Sequence, residues 1–148
     1  MTATNHVLAG ALLGAYLPLP VAIPAALASH FVMDFLPHFG SPAHERNNSR
    51  FYREIIAADT LISLTFGFCA LLLNQWVLFI CGAIAYSPDV ALVRYYISRG
   101  GNLNIQATDR FTAWHLKIQH EYPWGLIVEL PLIVVMLPLF ITQLLNKL

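Results

Sequence analysis

His30, Asp34 and His38 fall at four-residue steps at the end of a long apolar segment, in the stretch Ser29-His30-Phe31-Val32-Met33-Asp34-Phe35-Leu36-Pro37-His38. On a helix, residues four apart share a face, with Cβ atoms about 5–6 Å apart. One helix could therefore present His30 and Asp34 to a single metal ion. Pro37 disfavours helix at Leu36, so the helix should end there with His38 just past it. Ionisable side chains in an apolar segment are costly in lipid and mark functional sites. The plainer reading of the same residues is a helix cap plus a buried His–Asp hydrogen-bonded pair.

Other ionisable residues interrupt apolar segments in the same way. Asp59, Asp89 and Glu129 each lie inside one, and His6 opens the first. Four carboxylates cannot all stay ionised in apolar surroundings without a compensating cation. One or two divalent metal ions would supply it. Imidazole with carboxylate and no thiolate suits zinc, with manganese or iron next. The expected metal ligands are His30, Asp34, Asp59 and Asp89, with His6, His38 and His115 as candidates for the remaining positions. Glu129 and His115 are the candidate catalytic groups, Glu129 as a general base or as a group that orients a histidine. Each has a plainer alternative. Asp59 could be a frayed helix start, Asp89 could begin a half-helix after Pro88, and His115 with Gln119 could touch lipid headgroups.

The elements that must position these groups are apolar helices. The 148 residues are 57% hydrophobic and 11% charged, whereas a soluble domain is about 25% charged. Mean hydropathy is +0.62. These values point to an integral membrane protein, all-α, in one domain over residues 1–148. The balance of 8 basic and 8 acidic residues gives no reason to expect a nucleic-acid partner. Cys69 and Cys81 both lie in apolar segments and are expected to be free thiols. Ala26-Leu27-Ala28 follows an apolar run as a signal-peptide cleavage site would, but no Lys or Arg precedes that run. The N-terminal segment is therefore expected to belong to the mature bundle.

About five hydrophobic helices are expected, with one interfacial amphipathic helix. The first runs from Thr4 or Asn5 to about Leu17 and carries a Gly10-x-x-x-Gly14 pattern that permits close helix approach. The second covers about Val21 to Leu36. Both are short for a span of ~20 residues, which suits a thin or a re-entrant hairpin. The third covers Glu54 to Leu73, and Asn74-Gln75 is a tight turn. The fourth covers Trp76 to Ile97, with a kink expected at Ser87-Pro88-Asp89. Phe111 to Tyr122 reads as the interfacial helix. The last runs from Pro123-Trp124 to about Leu145. If the helices cross in sequence, Arg46, Arg50, Arg53, Arg94, Arg99, Arg110 and Lys117 share one side, and only Lys147 lies on the other. The positive-inside rule makes the loaded side cytoplasmic. That gives a multi-pass protein of the cell inner membrane with its C-terminus outside. Helix rise then places all four embedded carboxylates within roughly 12 Å of the cytoplasmic face.

Thr2-x-x-x-His6 with Gly10, followed by Ser29-His30-x-x-x-Asp34-x-x-Pro37-His38, resembles the YdjM-like membrane-bound metal-dependent hydrolases. The resemblance covers the first quarter of the chain and places His6, His30, Asp34 and His38 at motif positions. The Gly-His-Arg-Gly-x-Thr-His-Ser segment of many members and the Asp-x-Asp-His of some are absent here. The resemblance implies a metal-dependent hydrolase. A site opening at the cytoplasmic leaflet suits a lipid-linked ester or phosphoester, with Arg46, Arg50, Arg53 or Arg99 available for a phosphate. Embedded carboxylates also build ion and proton pathways, so a transporter is the first alternative. A non-catalytic assembly protein, with the acids paired to Arg94 and backbone groups, is the second.

Overall fold

The computed structural model describes residues 1–41, 43–102, 107 and 109–146. Helix α1 (Ala3–Tyr16) and helix α2 (Leu19–Asp34) form a hairpin across the Leu17–Pro18 turn. Pro20 sits in the first turn of α2, where its missing N–H costs nothing. Strand β1 (Pro37–Phe39), the short helix α3 (Ala43–Arg46) and helix α4 (Arg50–Leu72) follow. Helix α5 (Trp76–Tyr86) passes through a 3₁₀ turn, Ser87–Asp89, into helix α6 (Val90–Ser98). Helix α7 (Arg110–Ile118), strand β2 (His120–Tyr122) and helix α8 (Leu126–Leu145) complete the order.

All five expected apolar helices form, and three are long and apolar enough to cross a membrane: Arg50–Leu72, Trp76–Ser98 and Leu126–Leu145. The outer faces of two of them fit that role. Leu61, Leu64 and Phe68 of α4 and Ile127, Val134 and Val135 of α8 are exposed, as lipid-facing side chains would be. The 14 residues of α1 and 16 of α2 give lengths of about 21 and 24 Å, short of a ~30 Å hydrocarbon core.

Helix α1 is nevertheless the centre of the bundle, packed against α2, α4, α5 and α8. The two glycines explain its closest neighbour. A Cβ on Gly10 would strike the Cys81 carbonyl and the Ala85 methyl, and one on Gly14 would lie 2.9 Å from Cys81 Sγ. Two apolar clusters flank this seam. One joins Leu8 and Ala11 to Ala70, Leu78, Phe140 and Leu144, and the other joins Ala22 and Ala26 to Cys81 and Ala85. Cys69 and Cys81 are free thiols, as expected.

Several boundaries differ from the sequence reading. Helix α4 begins at Arg50 rather than Glu54, because Ser49 caps it by accepting from the Tyr52 N–H at 3.1 Å. Helix α7 stops at Ile118, and the following residues form β2 instead of a further helical turn. β2 pairs in parallel with β1, His38 opposite Glu121. This small parallel pair departs from the all-helical expectation. It is built from residues about eighty positions apart, which no local pattern reveals. The pair is clamped by an ion pair between Arg46 and Glu121. The Asn74 turn forms as expected, with Asn74 at φ 54°, a left-handed conformation that asparagine tolerates after a helix. Lys147 and part of the second polar loop lie outside the described residues.

Candidate metal centre

Helix α2 turns one row of residues inward: Ala22, Ala26, His30 and Asp34 are all buried. The two alanines let α2 approach α5 closely, and the same row then delivers His30 and Asp34 to a common centre. The 3₁₀ turn supplies the next group. Pro88 interrupts the helical ladder, and the 3₁₀ partner of the Ala85 carbonyl would be Pro88 itself, which has no N–H. That carbonyl lies 2.8 Å from His30 Nδ1. The carbonyl only accepts, so Nδ1 carries the proton and His30 turns its Nε2 lone pair inward. Asp89, at the end of the same turn, faces it. Helix α7 contributes His115, one of its two buried residues, with the exposed Phe111 beside it one turn earlier.

The four side chains converge. His30 Nε2 lies 2.9 Å from His115 Nε2 and 3.1 Å from Asp34 Oδ2. His115 Nε2 lies 2.9 Å from the same Asp34 oxygen. Asp89 Oδ1 is 3.7 Å from both imidazole nitrogens and has no hydrogen-bond partner. One ligand atom from each of the four lies within 4.8 Å of every other. A tetrahedral ion with bonds of about 2.0 Å has ligand–ligand edges of about 3.3 Å. The observed edges bracket that value, so this donor set could hold a metal ion. His30, Asp34 and His115 are fully buried, whereas the Asp89 side chain keeps 15% exposure. Among the four, Asp89 marks the open side.

His6 stands beside this group. Its ring stacks on His30 with centroids 4.1 Å apart. Its Nε2 is 3.2 Å from Asp34 Oδ1 and 3.9 Å from Asp89 Oδ2. The Met1 amino nitrogen lies 2.5 Å from Asp34 Oδ1.

Three expected site residues take other positions. The Asp59 carboxylate accepts from the Ala3 and Thr4 N–H groups at 2.8 and 2.9 Å, so it caps the N-terminus of α1 from across the bundle. Glu129 is fully buried and accepts from the Phe39 N–H at 2.8 Å, Asn5 Nδ2 at 3.1 Å and the Thr2 N–H at 3.3 Å. Its oxygens join α1, β1 and α8 and are occupied by donors. Both carboxylates therefore satisfy the free N–H groups and positive end of α1 or its approach. His38 is buried in β1, and its Nδ1 donates to the Leu36 carbonyl at 2.8 Å. Burial holds its pKa down at about 4, against 6.5 for an exposed histidine.

Of the candidate phosphate-binding arginines, Arg46 is tied to Glu121 and to the Ser41 carbonyl, and Arg50 pairs with Glu54 at the surface. Arg53 and Arg99 are exposed. Sequence reasoning left open whether His115 would bind metal, act in catalysis or touch lipid headgroups. The three-residue spacing of Thr112 and His115, the two buried residues of α7, is the signal for its inward face. No family model, curated protein or solved structure matches this chain.

Proposed function

We propose that this chain is a membrane-embedded, metal-dependent hydrolase acting on a lipid-linked ester or phosphoester at the cytoplasmic leaflet. The observation that carries the reading is the convergence of His30, Asp34, Asp89 and His115 on one point, where Asp89 Oδ1 has no hydrogen-bond partner. When bound there, a divalent ion would polarise an ester or phosphoryl oxygen and lower the pKa of a water molecule. The chain's own groups do the rest. The Ala85 carbonyl fixes the His30 tautomer, and Phe31 and Phe111 wall off His115 with ring centroids 5.8 Å from its own. The partly exposed Asp89 faces incoming substrate.

Two further features support a lipid substrate. The basic residues Arg53, Arg94, Arg99, Arg110 and Lys117 are exposed and fall on the side that the positive-inside rule makes cytoplasmic. An apolar cavity of 320 Å³ between α4 and α5 is lined by Phe68, Phe79 and Phe140 and reaches Val7 and Tyr86. Those last two neighbour His6 and the Ser87–Asp89 turn, so an acyl chain in the cavity would leave its headgroup near the site. The first-quarter motif resemblance to YdjM-like hydrolases is in keeping with this reading.

The deciding experiment is elemental analysis of detergent-purified protein beside a His30→Ala/Asp34→Asn variant, followed by turnover of vesicle-borne phospholipids. Stoichiometric zinc, manganese or iron in the wild type, lost in the variant, with hydrolysis falling at least ~100-fold in Asp34→Asn, is the expected result. A metal-loaded protein that turns over no lipid ester or phosphoester would sink the hydrolase. The Met1–Asp34 ion pair favours a second reading, a metal-free internal charge network. Wild-type protein that takes up no metal even after reloading would establish that one instead.

A further inference from the structure

The two carboxylates of the centre each have two oxygens, and they divide in a consistent way. Asp34 Oδ2 and Asp89 Oδ1 face His30 and His115. Asp34 Oδ1 and Asp89 Oδ2 face His6 instead, at 3.2 and 3.9 Å from its Nε2. The His6 side chain is wholly buried, yet neither of its ring nitrogens has a hydrogen-bond partner. Buried polar nitrogens are nearly always satisfied, so a histidine with both unpaired asks for an explanation. His6 is held where it is by α1, whose N-terminus is fixed by Asp59 and Glu129. Its position is therefore built rather than left to a mobile side chain. The Met1 amino nitrogen is paired with this same Asp34 Oδ1 at 2.5 Å, so a cation bound there would take its place.

We infer that His6, Asp34 Oδ1 and Asp89 Oδ2 form a second divalent-cation position, bridged to the first by the two carboxylates. This rests on the reading that His30, His115, Asp34 and Asp89 hold a metal ion. It names the residues that make the site dinuclear. Histidine with bridging carboxylates suits manganese, iron or zinc in both positions. Ions held at both positions would stabilise the attacking and leaving oxygens of an in-line displacement, which suits a phosphoester substrate.

The test is manganese loading of the detergent-purified full chain, read by elemental analysis and electron paramagnetic resonance. Wild type should take up two ions per chain with an exchange-coupled spectrum. His6→Ala and the more conservative His6→Asn should each take up one ion with an uncoupled spectrum. Their folding is checked by thermal unfolding, and the wild-type spectrum stands even if both variants fail to fold. Wild type that saturates at one uncoupled ion overturns the second position and leaves the first intact. Wild type that binds no manganese, zinc or iron overturns both.

Discussion

Glu129 and His38 show how the same residue types serve different ends. Both are buried near the centre's elements, but the Glu129 oxygens are held by donors and His38 Nδ1 by the Leu36 carbonyl, leaving His38 Nε2 without a partner. Glu129 accepts from three donors on two other segments. Glu129→Gln turns one acceptor into a donor facing N–H groups, and an unpaired buried group costs about 1–3 kcal/mol. The expected result is a lower unfolding midpoint in detergent with metal content unchanged. Normal stability with abolished turnover would instead identify Glu129 as a base. His38 makes a pH prediction. Burial lowers its folded pKa to about 4, so the unfolded chain binds more protons between about 6.5 and 4. Its stabilising contribution is present above pH 6.5 and is lost as pH falls toward 4. Metal-free wild type should lose about 1–2 kcal/mol more between pH 7 and pH 5 than His38→Gln. Equal losses in the two proteins would refute the assignment.

The element that sets the centre's geometry is the Ser87–Asp89 turn between α5 and α6. Pro88 breaks the ladder, the Ala85 carbonyl meets His30 Nδ1, and Asp89 swings toward Asp34's side of the bundle. Pro88→Ala supplies an N–H that lets the helix run through and reclaim a carbonyl. The fold should survive, since alanine favours helix, while metal affinity falls about 10–100-fold, the usual cost of losing a ligand's outer partner. Unchanged affinity, measured by competition with a metal-binding dye, would mean that the proline does not position the site. The kink itself was legible, because proline acts through its own backbone. The use of the freed carbonyl was not, because it depends on α2 lying against α5, a contact made by Ala22, Ala26, Cys81 and Ala85.

At the scale of the whole molecule, the centre ties together α2, the 3₁₀ turn and α7, with α1 alongside. An ion that binds only this folded arrangement stabilises it by mass action, about 4 kcal/mol at a thousandfold excess over Kd. Chelator should therefore lower the unfolding midpoint of wild type and leave His30→Ala/Asp34→Asn unmoved. A chelator effect of equal size in both would place the stabilising metal elsewhere. The sequence alone determined the apolar helices, because runs of hydrophobic residues, prolines and a tight Asn turn act locally. It also determined that His30 and Asp34 share a helix face, because four-residue spacing does so on any helix. Only the tertiary structure decided how four embedded carboxylates divide their roles. Asp34 and Asp89 meet histidines, while Asp59 and Glu129 meet the N–H groups at the start of α1. That division turns on α1 being inserted at the centre through Gly10 and Gly14 and on β1 pairing with β2. Both are contacts between distant segments, and the spacing of residues along a chain carries no record of them.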